Sequence, residues 1–259
     1  VDGQNIFDEE NYGKYLKNVG IRKVRQISTC KTYEDFLMMA EANFNIVLNP
    51  EARHAAADFE KNLGIGSIEM TRFYDVKRIH KQYQAFGQVF GLSGDFAFDR
   101  EEDFQAALNA VKAFKEKYGA MTFSIGECIN ADPFELACAL VSYGFSVSEI
   151  FGTISDENKF FVEMLARISP ETLIYSNMEP TMIYYDAAVR DADMTLGKDA
   201  GYYHQNLPNL PWNEDKQPFG YQAVRFLFEN LDRIICEGRV SIKESIYENL
   251  VEKQKGDEN

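Results

Sequence analysis

The chain has 259 residues, 45% of them hydrophobic, enough to bury a sizeable core as one large domain or two moderate ones. A formal net charge of −14 and a pI of about 4.7 disfavour nucleic acid and anionic membrane as partners, because their phosphates would be repelled. No apolar stretch approaches the roughly 18 residues that a membrane span needs.

Val1 to Asn5 read as the end of a strand and its loop, and the chain lacks an initiator methionine, so the sequence predicts a piece of something longer. A helix is expected over 8–19, ended by Gly20, and Ile21 to Ile27 read as a strand. Thr32 is placed to cap a helix over 33–41. Asn45 to Leu48 form a short buried strand. Asn49 and Pro50 open a helix over 51–62, with Gly64 as its stop. Ser67 to Met70 give another strand, and a long helix covers 75–90. Successive βα units of this kind predict a parallel sheet flanked by helices.

Gly91 to Gly94 break the pattern. Phe104, Leu108, Val111 and Phe114 recur at helical spacing, predicting a helix over 101–118 that connects two lobes. The second lobe repeats the logic. Strand 121–125 leads to helix 133–143, ended by Gly144. Strand 145–151, helix 157–167, strand 172–175 and helix 180–190 follow, then an irregular stretch. Gly201 to Gly220 hold Pro208, Pro211, Pro218 and the only tryptophan, Trp212, which predicts a functional loop or an interface. Helices over 220–237 and 241–252 close the chain. The expected architecture is α/β. It has a Rossmann-like lobe over 1–98, incomplete at its start, a connector over 99–118 and a second Rossmann-like lobe over 119–259.

No glycine-rich nucleotide fingerprint, P-loop, His-Glu-x-x-His or Gly-x-Ser-x-Gly occurs. The four cysteines show no Cys-x-x-Cys spacing and the sequence has no secretory segment, which predicts reduced thiols and a cytoplasmic chain. The best site candidate is the loop after strand 121–125. The strand ends at Gly126 and a helix begins at Phe134, so Glu127, Cys128 and Asp132 lie where parallel sheets gather ligands. A helix N-terminus lowers a thiol pKa, which makes Cys128 a candidate cofactor and metal ligand against the alternative of a half-buried thiol. Cys30, at the end of strand 21–27, invites the same two readings. His204 is either a proton donor or ligand, or a packed imidazole. Glu127 and Asp132 are either proton-transfer groups or solvated and capping carboxylates. Asn49 either caps its helix or forms a polar pocket with Arg53. His54 and His80 read as surface or structural residues, Cys138 and Cys236 as core, and Lys198 with Asp199 as a turn.

Several segments together resemble the nitrogenase component 1 superfamily, which includes the dinitrogenase subunits, their cofactor-assembly scaffolds and the dark-operative protochlorophyllide reductase. They are Gly20 to Val24, Phe44 to Pro50, Gly64 to Gly66, Gly119 to Asp132 and Pro218 to Tyr221, spread from about residue 10 to about 240. The resemblance implies Rossmann-like lobes around a pocket for an iron–sulfur or other metallocluster, or a tetrapyrrole. It implies an oxidoreductase subunit, paired with itself or with a component 1-type relative, that receives electrons from an ATP-hydrolysing iron protein. A lobe that carries the relay-cluster cysteines in the family is then missing. The family's cofactor-ligating cysteine falls on Asn49, a poor donor to soft iron. Its cofactor histidine falls loosely on His204, and its cofactor-cradling loop on Gly126, Glu127 and Cys128. Two alternatives stay open: a non-catalytic scaffold for metallocluster assembly, and a Rossmann-like small-molecule binding protein.

Overall fold

The computed structural model describes residues 20–21, 23–95, 100–189, 191–213 and 219–237. The helices expected over 8–19 and 241–252 lie outside them. Two parallel sheets organise the described residues. In the smaller, β1 (Phe44–Val47) pairs with β2 (Gly66–Glu69), joined by helix α2 (Arg53–Leu63). The larger contains β3 (Thr122–Ile125), β4 (Ser146–Phe151), β5 (Leu173–Tyr175), β6 (Met194–Leu196) and β7 (Asn209–Leu210). Its order is β5-β4-β3-β6-β7, and every pairing is parallel. The chain steps outward from β3 to β5, then returns to the other side of β3. That reversal puts a topological switch point between β3 and β6, the place where open parallel sheets leave a crevice.

The remaining helices are α1 (Tyr33–Leu37), α3 (Val76–Val89), α4 (Glu101–Tyr118), α5 (Pro133–Ser142), α6 (Lys159–Ile168), α7 (Lys198–Tyr203) and α8 (Gly220–Glu237). Thr32 caps α1 in a full capping box with Asp35. Helix α5 is buried at every position from Pro133 to Leu140, as expected of a helix apolar all round. Asp132 caps it, accepting from the Phe134 and Glu135 N–H groups at 3.0 and 2.8 Å. Helix α4 lies along α8, where Phe114 meets Phe228 edge-on and Lys117 pairs with Asp232 at 2.6 Å.

Three sequence expectations are corrected. No strand forms among the described residues of 21–27, and a 3₁₀ turn covers Ile27–Thr29 instead. Val24 and Ile27 stay exposed there, so no buried face draws the segment into a ladder. The helix expected over 180–190 is two 3₁₀ turns, Pro180–Tyr184 and Ala187–Val189. Tyr185 between them is extended and turns its side chain inward. Third, β6 and α7 occupy residues read as irregular or as a turn, since three buried residues are too few to show a period.

Tyr74 to Val76, the lead into α3, is clasped from α5 and its end. Glu135 accepts from the Tyr74 and Asp75 N–H groups at 2.8 and 3.3 Å. The Tyr143 hydroxyl donates to the Tyr74 carbonyl at 2.6 Å and accepts from the Val76 N–H at 2.9 Å. The Tyr74 hydroxyl donates to the Asn130 carbonyl at 2.6 Å and accepts from the Trp212 indole at 2.6 Å. Burial pushes the Glu135 carboxyl up to about 8, against the two N–H groups and Arg78, which favour the charged form.

Glu135→Ala strands two buried amides and should cost roughly 3 kcal/mol in urea unfolding. The folded pKa of Glu135 lies above its ordinary 4.5, so its contribution is complete below that value and is lost as pH rises through about 8. Thermal midpoints should therefore fall from about pH 5 to about pH 9, and fall less in Glu135→Gln.

Candidate functional site

Strand register aligns a row of polar residues across the larger sheet. Ser124 on β3 stands opposite Glu149 on β4 and Thr195 on β6, and Thr195 stands opposite Asn209 on β7. Directly opposed residues share a face, so the row forms one stripe. Ser124, Glu149 and Thr195 are fully buried. Helix α7 lies over the stripe. A Cβ on Gly201 would stand 2.5 Å from the Asn209 side chain, so the helix approaches this closely only with glycine there.

Glu149 is the centre of the stripe. It accepts from the Ser124 hydroxyl at 3.0 Å, from the Tyr185 hydroxyl at 2.7 Å and from His204 Nε2. Burial alone would raise its pKa, but the His204, Tyr185 and Ser124 donors outweigh burial and hold the carboxyl below the usual range. An ionised carboxylate only accepts, so His204 carries a proton on Nε2. The Tyr185 hydroxyl also stands 3.1 Å from that nitrogen. His204 itself is 5% exposed, behind the Phe151, Tyr185 and Tyr203 rings.

The loops after β3 and β6 cross at the switch point. Gly197 has φ +89°, and a Cβ there would stand 2.8 Å from the Gly126 carbonyl. The Gly126 N–H donates to the Leu196 carbonyl at 2.6 Å. Glu127 turns back to accept from the Thr153 N–H at 3.0 Å, and Asp199 accepts from the Asn177 amide at 2.8 Å. Burial, with Asp199 and Asp132 nearby, raises the Glu127 carboxyl against the Thr153 N–H. Cys128 is half-buried, and its thiol donates to the Gly126 carbonyl at 3.5 Å.

Asn177 leads from these loops into a cleft of about 510 Å³ beside the stripe. Its walls include Met178, Glu179, Tyr185, Tyr202 and Tyr203. Tyr185 joins the two regions: its ring lines the cleft and its hydroxyl reaches Glu149.

The other sequence candidates fall elsewhere. Cys30 follows the 3₁₀ turn, with its thiol on the Gln26 carbonyl at 3.6 Å, so it ends no strand. Asn49 follows β1 and makes no side-chain cap bond, and Arg53 turns to Glu69 at 3.0 Å rather than to Asn49. His54 is exposed, and His80 meets the Tyr221 hydroxyl at 3.1 Å. Cys138 is core, its thiol pushed up to about 12 by burial. Cys236 corrects the expectation of a second core thiol. It is exposed on the last turn of α8, 3.3 Å from Lys117 Nζ. Sequence reasoning passed over Glu149 and Tyr185. The visible signal was an acid inside the apolar run Val147 to Phe151, which a buried strand tolerates only with partners.

A metallocluster requires a convergent set of soft donors. Among the described residues, no group of three or more His, Cys, Asp or Glu side chains is arranged to hold a metal ion. Cys128 has no second thiol in its loop, and His204 Nε2 is committed to Glu149. The described residues do not fit a cluster held by this chain alone. No helix among them is long and apolar enough to cross a membrane.

Comparison with known proteins agrees with this fold. A model of the nitrogenase component 1 type oxidoreductase family matches residues 3–233. A solved chain described as nitrogenase Cp1 at pH 6.5 matches with a TM-score of 0.60 and 14% identity, over 77% of this chain and 46% of that one. The present chain thus spans about half the length of that structure, and at this identity the likeness speaks for the fold. No curated protein matches.

Gly197→Ala forces a side chain into the Gly126 backbone at a left-handed φ. It should lower the unfolding free energy by about 2 kcal/mol or more, read by urea titration.

Proposed function

The chain belongs to the nitrogenase component 1 type oxidoreductase family, and from that premise we propose that it is the substrate-holding subunit of an ATP-driven reductase. The substrate sits in the cleft walled by Tyr185, Tyr202 and Tyr203. Low-potential electrons come from a separate ATP-hydrolysing iron protein, and the chain pairs with itself or with another component 1-type subunit. It works in the cytoplasm, and its two lobes divide at the connector over 99–118.

One observation carries this reading: Tyr185 lines the cleft while touching the buried Glu149 and His204. Reduction of an unsaturated bond consumes protons as well as electrons. Tyr185 gives the substrate its hydroxyl proton and takes the Nε2 proton of His204, whose orientation Glu149 fixes, while the imidazole regains a proton at its other ring nitrogen and so stays neutral. Removing a positioned proton donor of this kind costs about 10²-fold or more in rate. Glu127, its carboxyl already raised, serves as a second proton source beside Gly126 and Cys128. A metallocluster in this family supplies electrons at low potential. The scaffold alternative is the weaker reading, because it requires the ligand set that the described residues do not offer.

The test is anaerobic. The full-length protein, its iron-protein partner, ATP and dithionite should give ATP-dependent dithionite oxidation that requires this chain. His204→Gln and Tyr185→Phe should slow it about 100-fold or more while the circular dichroism stays unchanged. Absence of chain-dependent oxidation, or unaltered rates in both variants, would overturn the proposal.

A further inference from the structure

We infer that the cleft selects a small organic cation, an onium or iminium-type nitrogen seated in the corner of the Tyr185, Tyr202 and Tyr203 rings with the Glu179 carboxylate at its rim. This deepens the proposed function and rests on its placement of the substrate in that cleft.

Ring geometry comes first. Tyr185 and Tyr203 are 5.0 Å apart between centroids at 64°, and Tyr202 and Tyr203 are 5.3 Å apart at 79°. The three tyrosines of the cleft are thus set at steep angles to one another, and a tyrosine ring attracts a cation placed over its face. Tyr203 is fixed from behind by Phe151, which stacks on it at 4.6 Å and 20° and is itself fully buried. Phe151 also packs edge-on against Tyr185 at 5.3 Å. The corner is therefore held in shape before a ligand arrives.

Charge decides the ligand's sign. Among the described residues lining the cleft, Glu179 is the one with a formal charge, and none is lysine or arginine. Asp199 lies just beyond, bonded to Asn177 of the cleft wall. The chain as a whole carries −14. Among the described walls a phosphate or carboxylate ligand would find no lysine or arginine, in a chain of net negative charge, whereas a cation would find tyrosine rings and a carboxylate. A volume of about 510 Å³ suits a small molecule.

The sign of the charge also fits reduction. A pyridinium or iminium takes up an electron pair from the iron-protein donor. A pyridinium that also gains one proton leaves as a neutral dihydropyridine, and the rings that held the cation then release it.

Binding to the purified full chain by titration calorimetry tests this without turnover. The probes are phenyltrimethylammonium, neutral benzyl alcohol and anionic benzenesulfonate. The expected result is saturable one-to-one binding of the cation, weakened about 3-fold or more by Tyr202→Ala and by Glu179→Gln. Equal or tighter binding of benzenesulfonate, or cation affinity unchanged in both variants, would overturn the inference. Benzyl alcohol bound in place of the cation would also overturn it, yet leave the cleft as the substrate site. Binding of none of the three would remove both.

Discussion

A carboxylate with no exposure to water must be met by donors from the protein, and Glu149 is that carboxylate. Among the described residues, donors to it come from three separate parts of the chain: Ser124 on β3, Tyr185 between two 3₁₀ turns and His204 at the end of α7. Each partner fixes its element. Ser124 locks the β3–β4 register just beyond the irregularity between Phe123 and Ser124. Tyr185 interrupts what would otherwise continue as helix after Pro180. His204 holds α7 down on the sheet, where Gly201 has already removed the side chain that would keep it away. The cleft wall and the stripe beneath it are thus one construction, ordered by a single buried charge.

Glu135 shows the opposite solution to the same problem. It too is buried, but its donors are two backbone amides with Arg78 only at 3.8 Å, and its carboxyl is pushed up to about 8. Glu149 has three side-chain donors and is held down. Two glutamates with environments that separate their pKa values also separate in role. Glu135 joins α3 to α5 and is not among the residues lining the tyrosine-walled cleft. Glu149 orients an imidazole beside one. Asp132 belongs with Glu135, since both of its contacts are spent on the α5 N-terminus.

Much of this fold was legible in the sequence because its helices are long and its stops are glycines. The spans of α2, α3, α4, α5 and α8 follow from periodicity and from Gly64, Gly119 and Gly144. The loop after β3 was found because a strand, a glycine and a capped helix leave a recognisable pattern. The stripe was not legible. Ser124, Glu149, Thr195 and Asn209 are far apart in sequence and become neighbours only through strand order, which a single sequence does not disclose. Tyr185 was hidden for a different reason. The sequence predicts one helix through Pro180 to Val189, and the structure sets Tyr185 extended between two 3₁₀ turns, with its hydroxyl on Glu149. The strand expected over 21–27 did not form because its apolar residues fall at every third position, so Val24 and Ile27 stay exposed and present no single face to bury.

The chemistry available at the carboxyl edge follows from the kinds of atoms gathered there. Glu149, Tyr185, His204, Glu127 and Asp199 offer oxygen and nitrogen, and the one thiol in the neighbouring loop, Cys128, is turned to its own backbone. Hard donors of this sort are poor partners for soft metal ions and good carriers of protons. Within a family defined by reduction, the work divides into delivering electrons and delivering protons with a place to react. The described residues of this chain are suited to the second. Their electrostatics differ: against burial, the His204, Tyr185 and Ser124 donors hold the Glu149 carboxyl below the usual range, whereas burial, with Asp199 and Asp132 nearby, raises that of Glu127. Two carboxyls at one sheet edge thus lean in opposite directions, Glu149 toward its charged form and Glu127 toward its neutral one.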